Sequence, residues 1–310
     1  MKFRKILRDK KKKRELTQLS RLKSIVAELE YQRSAFADVS PGIGNDLEHH
    51  LVVSLTTFNK RINDVYLTIE SLFRQSLKAD KIILWLSREE FDQVDIPSSL
   101  RILEKRGLTI AICDEDLGPY KKFFYTVKDH PESLIVTVDD DVIYPPDMLD
   151  MLYRAWLKDP DSVHCHRAHK IGLGGNGELL PYEQWDKNTS DSSRSRLIMP
   201  TGIGGVLYFP GCFHEELLNK ALFLKLAPRA DDIWLKAMTL KQGVLSKKIE
   251  DVRPWKLRFL TIDGSQLYAL KHENMKGALG NTLKAQKTFE YFDLMPELVR
   301  VDMNLSLIHI

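Results

Sequence analysis

Between residues 51 and 167 short apolar runs alternate with segments whose apolar positions recur every three or four residues. "LVVSLTTF" (51–58), "KIILWLS" (81–87), "LTIAICD" (108–114), "SLIVTV" (133–138) and "SVHCHR" (162–167) have the length and continuous apolar character of buried strands. "INDVYLTIESLFRQS" (62–76) places Ile62, Val65, Ile69, Leu72 and Phe73 on one helical face. "SSLRILEKRG" reads as a short helix closed by Gly107, and "PYKKFFYTVKDH" as one opened by Pro119. "PPDMLDMLYRAWLKD" is a further helix. Strands alternating with helices predict an α/β fold with a mainly parallel central sheet. In such sheets ligands bind beyond the carboxyl ends of the strands.

The flanks behave differently. Residues 2–34 lack Gly and Pro, and Leu16, Leu19, Leu22, Val26 and Leu29 recur at three- or four-residue steps. This predicts a helix, either a short coiled coil or an amphipathic surface helix. "DVSPGIGND" (38–46) is a linker by its Pro and Gly content. The chain therefore divides into a basic helical arm with its linker (1–46) and a catalytic-sized domain (47–304). After residue 170 the alternation stops. Residues 171–196 are polar and glycine-rich, and a loop of that length inside a compact domain is often functional. "TGIGGVLYFPG" (201–211) brings four glycines around a short apolar run, and "PRADDIWLKAMTLKQG" (228–243) predicts a helix ended by Gly243. The final "LSLIHI" (305–310) is unrelated in character to the acidic stretch before it and reads as a foreign tail, which places the natural C-terminus beyond Asn304.

Charge sharpens the division. The chain is net +3, yet residues 1–14 alone hold nine Lys or Arg against one Asp. Basic arms seek anionic surfaces, so peripheral contact of residues 1–34 with the inner face of a cell membrane is expected, and no nucleic acid. The arm lacks the apolar segment of a secretory signal, and no run approaches a membrane span. Cys113, Cys165 and Cys212 have no metal-ligand spacing and read as reduced thiols of a cytoplasmic protein.

Candidate chemistry begins at the end of the fourth strand. "LIVTVDDDVIYPP" sets Asp139, Asp140 and Asp141 directly after an apolar run, with no basic residue near them in sequence. Adjacent carboxylates repel, and burying them unpaired is costly. A divalent cation changes that balance, because carboxylate oxygens suit Mg²⁺ or Mn²⁺. Asp139 and Asp141 would share one side of an extended chain. In "RADDIW" the helix dipole and capping account for one of Asp231 and Asp232, and the second is a candidate catalytic base. "GLGGNG" (172–177) opens no helix and reads as flexible loop, not a dinucleotide fingerprint. The histidines of "HCHRAH" (164–169) read as structural rather than zinc ligands.

Six of these segments, in order, resemble a bacterial nucleotide-sugar-dependent glycosyltransferase of the glycosyltransferase A fold, family-two-like and containing Asp-x-Asp. They are "VVSLTTFNKRI", "KIILWLS", "DLGPYKKFF", "LIVTVDDDVIYPP", "GIGGVLYFPG" and "ADDIWL". The resemblance covers about residues 50–245. It implies a single Rossmann-like domain preceded by the basic helix, a nucleoside-diphosphate sugar as donor, a UDP-sugar foremost, and Mn²⁺ or Mg²⁺ as cofactor. Thr56, Thr57 and Arg61 would line the nucleotide pocket. Gly118 and Lys122 would face the base and diphosphate. Asp139, nearer the ribose, and Asp141 match the metal-binding Asp-x-Asp, and Asp140 belongs to the same donor-binding turn. The "GGVLYFPG" loop would flank the acceptor. Asp232, or Asp231, matches the catalytic base of inverting members, and His272 is the candidate further metal or phosphate ligand. The acceptor would be a cell-surface glycan or lipid-linked saccharide, as in lipopolysaccharide or capsule synthesis. Two other readings stand beside it. A nucleotidyltransferase also uses carboxylate-held Mg²⁺, although "TTFNKR" lacks the expected glycine-rich loop. A basic-armed binding module for membrane or nucleic acid leaves the aspartates and "RADDIW" unexplained.

Overall fold

In the computed structural model, which describes residues 2–91, 95–265 and 280–300, the apolar runs become strands and the periodic segments become helices. The strands are β1 (Leu51–Thr56), β2 (Lys81–Ser87), β3 (Leu108–Cys113), β4 (Leu134–Thr137), β5 (Val142–Ile143), β6 (Ser162–Cys165), β7 (Ala168–Lys170), β8 (Ile198–Pro200), β9 (Val206–Tyr208), β10 (Leu245–Lys248) and β11 (Leu260–Thr261). The helices are α1 (Lys2–Ala37), α2 (Val65–Phe73), α3 (Arg88–Phe91), α4 (Ser98–Glu104), α5 (Lys121–Asp129), α6 (Met148–Lys158), α7 (Lys220–Leu226), α8 (Asp231–Lys241), α9 (Asn281–Tyr291) and α10 (Met295–Val299). The fold is α/β, as the alternation predicts. The chain groups into two units: Met1–Leu117 with Asp139–Asp150 and Asp251–Ala269, and Gly118–Val138 with Met151–Glu250 and Leu270–Ile310.

In the first unit β1, β2 and β3 pair in parallel. β1 and β2 are buried almost throughout, and strands covered on both faces carry such continuous apolar sequence. The helix expected over 62–76 is the shorter α2, with a single 3₁₀ turn, Asn59–Arg61, before it. Gly107, at φ +113°, takes the chain from α4 into β3 in a conformation that side chains resist. After the aspartates, β5 pairs antiparallel with β11, a ribbon too short to read from sequence.

α1 is longer than expected and meets this unit with its small and polar side. Ser20 Oγ donates to the Lys256 carbonyl at 2.6 Å, Ser24 Oγ to the Thr261 carbonyl at 2.6 Å, and Ser34 Oγ to Glu70 at 2.9 Å. Ala27 and Tyr31 pack against the buried cluster Leu67, Ile143, Leu260 and Ile262. Arg106 pairs with the fully buried Glu70 at 2.6 Å beneath this seam.

In the second unit β4 and β6 each pair antiparallel with β9, while β6 and β10 are parallel. The antiparallel β9 comes from the "GGVLYFPG" segment, where three apolar residues between glycines gave no strand signal. An aromatic cluster joins the turn before α5 to α7 and α8: Tyr120 stacks on Phe223 at 4.1 Å, and Phe223 meets Trp234 edge-on at 6.0 Å. The 171–196 segment is more ordered than a flexible loop. It carries bridges Lys170 to Asp186 and Leu173 to Leu179, and it buries Trp185.

α8 also carries a fully buried lysine. The Nζ of Lys236 lies 3.4 Å from Ser246 Oγ, and burial pushes its pKa down to about 7. Between about pH 7 and the ordinary 10.5 the unfolded chain binds a proton that the folded chain does not, so this residue makes stability rise with pH across that window. Below pH 7 its destabilising effect is fully present. Lys236→Met is therefore expected to raise the melting temperature most near pH 6, with the gap to the parent closing towards about pH 10. A gap that does not change with pH would exclude the buried-charge account.

Candidate active site

Each unit carries one cluster of the expected residues. In the first, the chain leaves β4 and turns through Asp139–Asp141 into β5, and this turn is tied at several points. Tyr144, fully buried, accepts the Asp139 N–H at 2.9 Å through its hydroxyl. Thr68 Oγ1 donates to the Asp140 carbonyl at 2.9 Å, and the Ile262 N–H donates to the Asp141 carbonyl at 3.0 Å. Neighbouring elements thus fix the backbone on which the three carboxylates are mounted.

The carboxylates do have a basic partner. Arg61, at the end of the 3₁₀ turn after β1, donates through Nη1 to Asp140 at 2.6 Å and through Nη2 to Asp141 at 3.2 Å. Thr57 Oγ1 donates to the other Asp140 oxygen at 2.5 Å. Burial pushes the Asp140 carboxyl up, while Arg61 and Thr57 pull it down. Asp140 is thus a buried carboxylate satisfied by protein groups, and its counter-ion comes from a part of the chain distant in sequence. The residue lies some eighty positions upstream, a separation that sequence spacing does not reveal. Thr56 turns its hydroxyl to the Trp85 carbonyl at 2.8 Å, joining β1 to β2.

One donor in this cluster is left over. The Nε of Arg61 is buried and has no hydrogen-bond partner in the structure. An unmet guanidinium N–H beside carboxylates suits a ligand that brings both anionic oxygens and a cation, such as a metal-bound diphosphate. Among the described residues no group of three or more His, Cys, Asp or Glu is arranged to hold a metal ion. The donors fit a site in which Asp139 and Asp141 supply hard oxygen ligands and substrate phosphates supply others, the usual arrangement for Mg²⁺ in nucleotide enzymes. They do not fit an all-protein cage. His272 lies outside the described residues.

Arg61→Ala would leave Asp140 buried without its cation. Removing one partner of a buried pair costs ~3–5 kcal/mol, so a drop of that size in unfolding free energy is expected by denaturant titration. Arg61→Lys should recover only part, because an ammonium lacks the two-pronged geometry that reaches both Asp140 and Asp141. A loss under about 1 kcal/mol for Arg61→Ala would refute the counter-ion role.

In the second unit Gly118 sits at φ +58°, where a Cβ would meet nothing within 4 Å but the backbone would be strained. Lys122, in the first turn of α5, is buried and its Nζ lies 3.0 Å from Asp231 Oδ2. Tyr120 fixes this geometry by donating to the Ala227 carbonyl at 2.5 Å. Asp231 and Asp232 open α8, so its dipole favours both carboxylates. They differ in environment. Asp231 is buried in the ion pair with Lys122. Asp232 is half-buried, and its Oδ1 accepts the Gly202 N–H at 3.1 Å. The glycine-rich segment thereby contributes a backbone donor that orients Asp232.

Two tyrosines that the sequence did not single out belong here. Tyr182, from the 171–196 segment, has its hydroxyl pKa pushed up to about 12 by burial and then by Asp232. Tyr208, on β9, is fully buried and raised for the same two reasons. Arg167 Nη1 donates to Thr201 Oγ1 at 2.9 Å beside the Gly202 turn. Two histidines of the 164–169 run contact backbone groups. His164 Nε2 lies 2.8 Å from the Asp159 carbonyl, and His169 Nδ1 accepts the Asn188 N–H at 3.0 Å. Burial lowers the His169 pKa to about 3, which keeps it neutral. Cys113, Cys165 and Cys212 are buried free thiols.

No protein-family model matches the sequence, and no curated protein does. Among solved structures, the chain is similar to the mannosyltransferase PcManGT from Pyrobaculum calidifontis in complex with GDP-Man and Mn²⁺. Identity is 14% and the TM-score 0.45, over 91% of this chain and 84% of that one. Among the described residues no helix is long and apolar enough to cross a membrane.

Proposed function

We propose that the chain is a metal-dependent, inverting glycosyltransferase. It would move a sugar from a nucleoside-diphosphate donor, a UDP-sugar foremost, to a saccharide or lipid-linked acceptor. The observation that carries this reading is the aspartate turn: a tied backbone presents Asp139 and Asp141, and the same cluster holds a buried, unmet Arg61 Nε–H. The ordered motifs from "VVSLTTFNKRI" to "ADDIWL" agree with it.

In this reading Asp139 and Asp141 would hold Mn²⁺ or Mg²⁺, which neutralises charge growing on the leaving diphosphate. Arg61 positions Asp141 and donates Nε–H to a phosphate oxygen. Asp140 holds Arg61 in place. In the second unit Asp232 acts as general base. Gly202 N–H fixes its Oδ1, and Oδ2 takes the proton of the acceptor hydroxyl as that oxygen forms its bond to the sugar C1. The bond from C1 to the diphosphate oxygen breaks in the same displacement, which inverts the anomeric centre. Asp231 is engaged by Lys122 and holds its Nζ in place.

The test is a panel of nucleotide sugars assayed with Mn²⁺ and with chelator, scored for nucleoside diphosphate release and for the anomer formed. Release of nucleoside diphosphate only with metal, and an inverted product, is expected. Pyrophosphate release from a nucleoside triphosphate would favour the nucleotidyltransferase reading, and a retained anomer would remove Asp232 as base.

A further inference from the structure

A lysine sits on an aromatic ring in the neighbourhood of the candidate base, and backbone bonds hold it there. The ring belongs to Tyr182, in the 3₁₀ turn Tyr182–Gln184. The first turn of α9 clamps that turn: the Tyr182 N–H donates to Thr282 Oγ1 at 2.8 Å, and the Thr282 hydroxyl donates to Glu183 at 2.9 Å. Trp185 Nε1 donates to the Leu180 carbonyl at 2.9 Å, and its ring centroid lies 4.9 Å from that of Tyr182. The chain then runs beside β7. Lys170 and Asp186 exchange backbone hydrogen bonds at 2.9 and 3.1 Å, and the Thr189 N–H donates to the Ala168 carbonyl at 3.0 Å. Between these ties Lys187 extends over the Tyr182 ring, its Nζ 2.8 Å from that centroid and 5.7 Å from the Trp185 ring. Just before β7 the Arg167 carbonyl accepts the Thr201 N–H at 3.0 Å, one residue from the Gly202 N–H that holds Asp232.

A lysine over an aromatic ring is ordinary surface packing when nothing else converges on it. Here three other features do. Lys187 is exposed enough to meet a ligand, yet desolvation at the amine lowers its pKa to about 8, with Glu183 pulling it up and Arg167 pushing it down. A second cation therefore lies within electrostatic reach. The Tyr182 hydroxyl feels Asp232 and takes a hydrogen bond from the Asn281 side chain. A phenol that accepts one bond still has its own O–H to donate. Asn281 Oδ1 is buried and has no hydrogen-bond partner in the structure, so the same place also offers an unmet acceptor.

We infer that Tyr182, Lys187 and Asn281 form an acceptor subsite, and that the acceptor is an acidic saccharide carrying a carboxylate or phosphate beside the hydroxyl that Asp232 deprotonates. This rests on the transferase reading above and adds the chemical class of the acceptor to it. Lys187 Nζ meets the oxyanion, the Tyr182 O–H donates to it, and Asn281 Oδ1 accepts from a neighbouring sugar hydroxyl. An anion brought near Asp232 alone would be repelled, and Lys187 with Arg167 offsets that repulsion. An ammonium is a point charge without the fork that selects a planar carboxylate, so it serves a carboxylate or a phosphate alike. A neutral sugar would leave the lysine unmatched, and a site built around a polar partner discriminates against the analogue that lacks it.

Binding tests this without donor, metal or turnover, so its failure leaves the transferase reading standing. The probes are methyl β-D-glucuronide, glucose 6-phosphate and, as the neutral control, methyl β-D-glucoside, each at equal concentration with the full chain. Saturation-transfer NMR is expected to show at least one acidic probe bound in preference to the glucoside, and the response to the two acidic probes tells carboxylate from phosphate. Lys187→Met should weaken that probe ~10-fold or more, the loss of one charge-assisted bond, and leave the glucoside response unchanged. Tyr182→Phe keeps the ring under Lys187 and removes only the hydroxyl, so it should weaken the acidic probe with the melting temperature unchanged. Brief acetylation read by peptide mass spectrometry should show Lys187 protected by the bound probe in the parent. Asp232→Asn should bind the acidic probe as the parent does or better. Equal binding of acidic and neutral probes, or no binding of either acidic one, overturns the inference. Equal protection of Lys187 by inorganic phosphate alone reduces it to a bare anion contact and overturns the saccharide assignment. Binding that is indifferent to both Lys187→Met and Tyr182→Phe places the subsite elsewhere.

Discussion

Asp141→Ala is expected to leave a folded protein whose sugar transfer falls by ~10³-fold or more. The two halves of that expectation have separate causes. On the proposed function Asp141 would be one of two protein ligands to a catalytic cation, and losing it would remove several kcal/mol of transition-state stabilisation; about 4 kcal/mol corresponds to a thousandfold in rate. The fold survives because Arg61 keeps its shorter bond, 2.6 Å to Asp140, after the 3.2 Å contact to Asp141 is gone. Asp140→Ala should behave in the opposite way: it strands the buried Arg61, so stability falls before activity can be assigned. The measurements are nucleoside diphosphate release with graded Mn²⁺ and a melting temperature for each variant. Partial rescue of Asp141→Ala by high Mn²⁺ would fit a weakened metal site. Full transfer in chelator, or undiminished transfer by Asp141→Ala, would remove the metal role.

The contrast between Asp140 and Asp141 marks where sequence reading reaches its limit. β2 was legible to the residue, because a strand buried on both faces is an uninterrupted apolar run. α8 was legible because acidic residues open it and Gly243, at φ +81°, closes it. The aspartates stood out as a candidate because charge follows directly on such a strand. The pairing of Asp140 with Arg61 was not, since it depends on how the turn after β1 meets the turn after β4. Nor was β9, whose three residues favour strands but are too few to read as one without the neighbours on both sides. α1 was predicted as a helix from the right residues. Its inner face could not be foreseen, because that face is built from serines and alanines, and a periodicity argument follows the leucines.

Asp232→Asn is expected to lower turnover by ~10²–10⁴-fold, the range of general base catalysis, with little change in the Michaelis constant for the donor. Asparagine retains an Oδ1 that can accept the Gly202 N–H, so the start of α8 should keep its geometry and the loss should be one of chemistry. Asp231→Asn provides the control. Its carboxylate is held by Lys122 at 3.0 Å in a buried pair, so the change weakens a buried charge pair and is expected to lower the melting temperature. Asp231→Asn chains that do fold should retain much of their turnover. The two variants therefore separate along different axes: Asp232→Asn in turnover at constant melting temperature, Asp231→Asn in melting temperature. The reverse pattern would transfer the base to Asp231 and make Lys122 the group that tunes it. If both variants turn over at the parental rate, neither carboxylate is the base, and the single-displacement mechanism fails with them.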